Sequence, residues 1–254
     1  MPRSSSPLIG MIVPPASGEV PPEGAILYPD IRFVAVGLGL RQISPTGFDE
    51  VVATIVAKAE LLAADGAQAI SVMGTSLTFY QGANANNALI AAVAAATGLP
   101  TTTMSSAVVR GLKALGVGRV ALATAYIDDL NTRLTTFLAA NDIAVAGIEG
   151  LAMTDMNAVK QVPPARLITL AERAFARDPS AEGILLSCGG LLTLDVIDPV
   201  EQRLGIPVVA SSPAGFWDAV QVAGLDAACP GYGRLFQAPP LGSQPKAARS
   251  VGRQ

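Results

Sequence analysis

A cysteine placed between a buried run and two glycines is the residue best suited to chemistry in this chain. Cys188 follows the run Ile184-Leu185-Leu186-Ser187, which predicts a buried strand that ends in a glycine turn. Residues 69–73 predict a similar strand, but Gly74 stands where the other turn carries Cys188. Because the chain has no histidine, no imidazole can act as acid, base or ligand. A lone thiol at a strand end is then the best candidate for moving a proton.

Three hydroxyl groups that follow predicted strands are candidate hydrogen-bond donors. Thr75 and Ser76 come directly after residues 69–73, where side chains and amides can hold an anion. Capping a helix is the alternative role for both. Tyr126 follows another predicted strand and could donate from its phenol, or it could simply pack. Cys188 could likewise be a small core residue, but the two glycines behind it suit the close approach of a ligand.

The composition predicts an α/β protein and excludes several classes. The 254 residues are 50% hydrophobic, 15% charged and 5% aromatic, which suits sheets that are covered on both faces. The net charge of −3 and the absence of a basic cluster in the first 237 residues argue against nucleic acid and anionic membrane as partners. The apolar run at residues 8–13 is too short for a signal peptide, and no segment is apolar enough to span a bilayer.

Cysteine usage and motif spacing predict a cytoplasmic protein that needs no cofactor. The two cysteines make no disulfide scaffold, and Cys229 lies in an irregular loop where a structural role is expected. No carboxylate or cysteine cluster has the spacing of metal ligands. Residues 37–40 are no dinucleotide fingerprint, because the third glycine and a preceding strand are missing. We therefore expect neither metal nor cofactor.

Strand-like and helix-like runs alternate along the chain, which predicts parallel sheets with right-handed crossovers. Residues 14 to about 44 are predicted to be a proline-rich loop. Strands are predicted at residues 8–13, 69–73, 101–104, 119–124, 144–148, 183–187 and 207–210. Helices are predicted at residues 45–64, 84–96, 105–115, 128–140, 164–176, 199–204 and 214–223.

Three pairs of similar features indicate that the chain contains a duplicated α/β unit. The pattern Gly-[Leu/Ile]-Pro-x4-Ser-x-Ala begins at Gly98 and again at Gly205. The turns at Gly74 and Cys188 correspond in the same way, and so do the strand ends at residues 13 and 124. Because parallel strands offer their carboxyl ends to ligands, two facing halves would enclose one small site. The residues just after the strands should line it: Pro14, Pro15, Gly74, Thr75, Ser76, Ala125, Tyr126, Cys188 and Gly189.

These residues carry a resemblance to the bacterial arylmalonate decarboxylases, which extends from about residue 8 to residue 237. The wider superfamily of aspartate, glutamate and hydantoin racemases and maleate isomerases has a cysteine in each half. The decarboxylases keep only the second and have glycine at the first, which is the asymmetry seen here. The matching blocks are Pro14-Pro15 and residues 73–76, 123–129, 187–192, 211–218 and 230–236.

The resemblance implies two pseudo-symmetric domains, each a four-stranded parallel sheet flanked by helices, with the active site in the cleft between them. We expect the first domain at residues 1–117, completed by about 213–237, and the second at 118–212. Residues 238–254, which are rich in proline, glycine and serine, are expected to be a disordered tail.

The implied activity is the cofactor-independent decarboxylation of α-aryl-α-alkyl malonates to optically pure 2-arylalkanoic acids. Cys188 would protonate an enediolate that is stabilised by Thr75, Ser76, Tyr126 and the Gly189 amide. The leaving carboxylate would face an apolar wall formed by Leu40, Ile43, Leu77, Met156 and Val159. Gly74 would adjoin the substrate, and the aryl group would lie near Pro14, Pro15, Gly189 and Gly190.

Two other functions fit part of this pattern. A racemase or isomerase of the same superfamily needs an acid or base on each face of the substrate. Gly74 cannot supply one, and Cys229 could do so only if its loop folded into the cleft. A non-catalytic protein that binds a small acid would keep the donors and lose turnover. We expect a monomer that binds a small molecule. For the decarboxylase this molecule is a dicarboxylate substrate.

Overall fold

The computed structural model of the protein describes residues 6–239 and contains two parallel four-stranded sheets, which confirms the predicted fold class. The strand orders are β2-β1-β3-β4 and β6-β5-β7-β8, so the same arrangement occurs in both halves. The first sheet contains β1 (Leu8–Val13), β2 (Arg32–Gly37), β3 (Ala69–Val72) and β4 (Thr101–Thr103). The second contains β5 (Arg119–Thr124), β6 (Ala144–Gly150), β7 (Gly183–Ser187) and β8 (Val208–Ala210).

Helices follow most strands and cover the sheets. In the first half they are α1 (Glu23–Leu27), α2 (Pro45–Val52), α3 (Ile55–Ala64), α4 (Thr75–Phe79), α5 (Ala83–Thr97) and α6 (Met104–Ala114). In the second half they are α7 (Asp128–Ala139), α8 (Met156–Lys160), α9 (Pro164–Arg177), α10 (Leu194–Leu204) and α11 (Ser211–Val222), followed by a 3-10 turn at Arg234–Gln237.

Local sequence explains where several helices begin and end. The Ser44 side chain accepts a hydrogen bond from the Gly47 amide at 3.2 Å, and a proline stands in the first turn of α2. Thr103 caps α6 in the same way. Gly98 and Gly205 end α5 and α10 with φ of 69° and 73°, a left-handed conformation that glycine adopts without a steric penalty.

The prediction of a continuous loop at residues 14–44 was wrong, because this segment contains α1 and β2. Residues 33–36 of β2 are all apolar, but the prolines before the strand favoured a loop. The strand lies at the sheet edge and is only partly buried. The statement that no strand precedes residues 37–40 was wrong for the same reason.

Three helix predictions also needed correction. The helix predicted at residues 45–64 is two helices, with a break where the Thr54 hydroxyl donates to the Val51 carbonyl at 2.8 Å. The helix predicted at residues 199–204 begins at Leu194 and has Pro199 inside it, although proline was taken as its first residue. The helix predicted at residues 214–223 begins at Ser211, since Pro213 is tolerated in a first turn.

Helix α11 links the two halves. It follows β8 in the chain, yet it packs against α1, α6, β3 and β4. Asp218 on α11 is fully buried and forms an ion pair with Arg110 on α6, and the Thr102 hydroxyl of β4 joins the pair. A buried charge needs such partners, so this cluster holds α11 in one position. The tail predicted at residues 238–254 lies outside the described residues from residue 240 onward.

Candidate active site

A cavity of about 220 Å³ lies at the carboxyl ends of strands from both sheets. Parallel strands place their following loops at the same edge, so residues after β1, β3 and β7 meet there. The site residues predicted from sequence that line this cavity are Pro14, Pro15, Leu40, Ile43, Gly74, Thr75, Ser76, Leu77, Met156, Val159, Cys188, Gly189 and Gly190.

Cys188 lies directly after β7 with its thiol in the cavity wall and is only 5% exposed. Burial raises the pKa of this thiol to about 11, and hydrogen bonds from the Gly190 amide and the Tyr126 hydroxyl offset part of that rise. The group therefore keeps its proton at neutral pH. A thiol in a cavity wall can deliver a proton to a bound molecule.

Thr75 and Ser76 form the first turn of α4, on the wall that follows β3. Amides in a first helical turn have no partner within the helix. The Thr75 hydroxyl donates to the Met104 sulfur at 2.9 Å, which is a weak acceptor. The Thr75 hydroxyl therefore loses little when it leaves this sulfur and donates to an anionic oxygen instead. The first turn of α4 can thus bind a carboxylate.

Gly74 precedes this turn in an extended conformation. A Cβ at Gly74 would lie 3.1 Å from the Leu77 Cβ and 3.2 Å from the Pro14 Cγ. Those neighbours would have to move by a few tenths of an ångström to admit a side chain. The backbone itself imposes no requirement for glycine here.

Tyr126 and Ala125 do not line the cavity, although their position after β5 predicted that they would. The Thr124 side chain accepts from the Tyr126 amide at 3.2 Å, which turns the chain so that the Tyr126 ring packs edge-on against Phe79. Burial raises the pKa of the phenol, whose hydroxyl lies beside the side chains of Ser187, Thr75 and Ser76. Tyr126 can therefore support the donor residues while it stays protonated.

The apolar side of the cavity comes from loops and a short helix. The Leu40 amide bonds to the Pro14 carbonyl at 2.9 Å, and the Ile43 amide bonds to the Thr154 carbonyl at 3.2 Å. Helix α8 carries Met156 and Val159 and is capped by the Asp155 side chain. These bonds fix an uncharged wall beside the hydroxyl groups.

Sequence reasoning missed several residues of the cavity wall. Met73 precedes Gly74, and its place at a strand end was the available signal. The loop at residues 14–44 offered no such signal, because it was predicted to be irregular. The missed residues are Val13, Glu19, Val20, Pro21, Pro22, Glu23, Phe48, Met73, Lys160 and Leu192.

Charged groups in the cavity wall are few. Within residues 6–239, the wall contains one cation, Lys160, and two acids, Glu19 and Glu23. Burial raises the pKa of Glu23, so its carboxyl resists ionisation. No group of three or more His, Cys, Asp and Glu residues that could hold a metal ion occurs in this part of the chain. Its helices also include none that is long and apolar enough to cross a membrane.

Comparisons with family models, known sequences and solved structures all point to the same family. The model of the arylmalonate decarboxylase family matches residues 9–236. The arylmalonate decarboxylase of Bordetella bronchiseptica is 58% identical over 237 residues, which cover 93% of this chain and 99% of that protein. The liganded Gly74Cys-Cys188Ser mutant of an arylmalonate decarboxylase superposes with a TM-score of 0.90 at 57% identity, covering 91% of this chain and 98% of the other.

A more distant structure shares only the fold. The maleate isomerase of Pseudomonas putida S16 superposes with a TM-score of 0.83 at 20% identity, over 91% of this chain and 98% of its own. The family match and the 58% identical relative both extend over nearly the whole described chain. The chain therefore belongs to the arylmalonate decarboxylase family of carboxy-lyases.

Proposed function

We propose that this protein decarboxylates α-aryl-α-alkyl malonates to optically pure 2-arylalkanoic acids without a cofactor. The observation that carries the proposal is the meeting of one protonated thiol, two hydroxyl groups and an apolar wall in a single cavity. The relative with 58% identity is an arylmalonate decarboxylase, which supports the same substrate class.

The reaction needs no external electron sink. When the bond between the α-carbon and one carboxylate breaks, its electron pair moves onto the retained carboxylate and forms an enediolate. Thr75, Ser76 and the Gly189 amide donate to the enediolate oxygens, and Tyr126 supports the two hydroxyls. One such donor typically lowers a barrier by about 2.7–4 kcal/mol.

Protonation by Cys188 completes the reaction. The thiol gives its proton to the α-carbon, and the resulting thiolate takes a proton from solvent. The raised pKa suits this role, because the donor stays protonated until the carbanion forms. One thiol on one side of a planar intermediate delivers its proton to one face, so a single enantiomer is expected.

The leaving carboxylate lies against the apolar wall in this proposal. Charged carboxylate is unfavourable beside apolar side chains, whereas neutral CO2 is not. The wall therefore favours the product of bond cleavage. It consists of Leu40, Ile43, Leu77, Met156 and Val159.

The geometry disfavours the racemase alternative. The position that would carry a second acid or base is Gly74, and Cys229 cannot replace it. The Cys229 thiol donates to the Leu27 carbonyl at 3.1 Å and is outside the cavity wall. The proposal takes the enzyme to be a cytoplasmic monomer, because the cavity is complete within one chain and both cysteines are free.

Release of CO2 from phenylmalonate and methylphenylmalonate by the purified protein, without added cofactor, tests the proposal. We expect turnover and a single enantiomer of 2-phenylpropionate by chiral chromatography. Thermal stabilisation by phenylmalonate with no CO2 release would support a binding protein instead. Deuterium exchange into single amino or hydroxy acids in D2O would support a racemase.

A further inference from the structure

Glu23 is a buried carboxyl in the cavity wall that the proposed reaction does not use. It is the first residue of α1 and is only 3% exposed. It ends the loop that leaves β1, residues 14–22, which we call the proline loop. Most residues of this loop line the cavity, including Pro14 and Pro15.

The Glu23 carboxyl is bonded to a residue of the other half. Its Oε1 accepts from the Thr193 amide at 3.0 Å and from the Thr193 hydroxyl at 3.2 Å. Thr193 is the residue before α10, and its side chain makes no helix-capping bond. The two residues are 170 positions apart in the chain, so only the tertiary structure brings them together.

Thr193 ends the loop that begins at Cys188, which we call the cysteine loop (residues 188–193). One end of this loop is anchored by β7, and the Leu191 amide bonds to the Cys188 carbonyl at 3.1 Å. Within the described part of the chain, two hydrogen bonds join the cysteine loop to the proline loop and Glu23. Both run from Thr193 to the Glu23 carboxyl.

We propose that Glu23 is a positioning residue that holds the cysteine loop in register with the proline loop. Through Thr193 it fixes the place of the Cys188 thiol and the Gly189 amide relative to Pro14 and Pro15. This inference rests on the proposed function for the role of Cys188. A displacement of about 1 Å at a reacting group can cost about a hundredfold in rate, so the loop position has kinetic consequences.

The hydrogen bonds, and not the charge of Glu23, carry this role. Burial raises the pKa of the carboxyl, yet Oε1 accepts hydrogen bonds whether or not the group is ionised. The Ser212 hydroxyl also lies beside the carboxyl and can donate to it. An amide nitrogen in place of Oε2 can donate to the Ser212 oxygen instead, because a hydroxyl accepts as well as donates. Glu23→Gln therefore keeps the contact with Thr193, whereas Glu23→Ala removes it.

Glu201 provides a matched control. It is also a buried carboxyl, 7% exposed. Its Oε1 accepts from the Val208 amide at 2.8 Å and its Oε2 from the Arg234 amide at 3.1 Å, and the Arg234 guanidinium lies 3.8 Å away. Burial raises its pKa as well, but it is outside the cavity wall. Glu201→Ala thus removes a comparable buried acceptor without touching either loop.

The test compares Glu23→Ala, Glu23→Gln and Glu201→Ala in the purified full-length chain. The first readout is kcat and KM for methylphenylmalonate. The second is the rate of alkylation of Cys188 by iodoacetamide without substrate, followed at that peptide by mass spectrometry. The melting temperature of each variant is measured beside them.

We expect Glu23→Ala to lower kcat about tenfold or more with a smaller change in KM, and to speed Cys188 alkylation by about tenfold as the loop opens. Glu23→Gln should stay near wild type in both readouts, and Glu201→Ala should lower only the melting temperature. Should Glu23→Ala fail to fold, Thr193→Val removes the hydroxyl bond and keeps the amide bond. It should then be alkylated faster than wild type and Glu201→Ala, and a rate equal to theirs would overturn the proposal.

The proposal is overturned if Glu23→Ala loses stability as Glu201→Ala does while kcat and alkylation stay unchanged. Equal damage by Glu23→Gln and Glu23→Ala also overturns it, since the charge would then matter and not the bond to Thr193. If the wild type releases no CO2, the proposed function fails. The alkylation rates still decide whether Glu23 holds the cysteine loop.

Discussion

Replacement of Thr75 by valine isolates the contribution of one hydroxyl donor. Valine has nearly the same shape. In the free protein the lost hydroxyl donates to the Met104 sulfur at 2.9 Å and lies beside the Tyr126 hydroxyl. Removal of one oxyanion donor costs about 2.7–4 kcal/mol, or about 10²–10³ in kcat. The free energy of unfolding should fall by about 1 kcal/mol or less, because the lost bond is to a weak acceptor.

The loss should appear in kcat more than in KM. The Thr75 hydroxyl can donate to both the bound malonate and the enediolate. Negative charge concentrates on the retained carboxylate only as the bond to the leaving carboxylate breaks, so the hydrogen bond is stronger in the transition state. Initial rates of CO2 release from methylphenylmalonate at several concentrations separate the two constants. Urea unfolding followed by circular dichroism gives the stability of each variant.

Thr102→Val is the matched control for this experiment. Thr102 is also buried, and its hydroxyl bonds to the buried Asp218 carboxylate and to the partly exposed Arg110 guanidinium, outside the cavity wall. We expect it to lose about 1–3 kcal/mol of stability and to retain kcat. A Thr75→Val enzyme with kcat within threefold of wild type, or an equal loss of kcat in Thr102→Val, would refute the assignment of Thr75 as a donor.

Three further outcomes are expected. Because burial raises the pKa of Cys188 to about 11, the proton donor is present below that pH. The kcat should therefore stay level from neutral pH to about pH 9 and fall as the pH approaches 11; a decline that is complete by pH 9 would contradict this protonation state. Lys160→Gln should raise KM about threefold at low ionic strength without changing kcat, and the effect should fade in about 0.5 M salt, because a dianion is attracted to the cation in the cavity wall. Lys58→Gln, a similar change outside the wall, should have no effect, and an equal rise in KM for both variants would point to net charge instead. Gly74→Cys combined with Cys188→Ser should give the opposite enantiomer of 2-phenylpropionate, since the contacts at Gly74 require only small shifts; a folded double mutant that still makes the original enantiomer would show that the two positions do not face opposite sides of the substrate.

The sequence alone predicted two parallel-sheet halves and made Cys188 the candidate proton donor. Buried runs such as residues 119–124 and 183–187 have the length and apolar composition of central parallel strands, and β5 and β7 were predicted with the bounds observed. The contrast between Cys188 and Gly74, with no histidine in the chain, pointed to one proton donor. The carboxyl-end rule for parallel sheets then predicted that Thr75 and Ser76 lie near the thiol, as the cavity shows.

Only the tertiary structure decided which residues complete the wall. Strand β2 was missed although its residues 33–36 are apolar, because the prolines before it favoured a continuous loop. Tyr126 follows its strand as predicted, yet the turn held by Thr124 directs its ring into the core. Glu23 could not be found at all, since its partner Thr193 lies 170 residues away. Sequence patterns report the burial and periodicity of neighbouring residues, whereas a cavity is formed by segments that are distant in the chain and meet only when both sheets and α11 have packed.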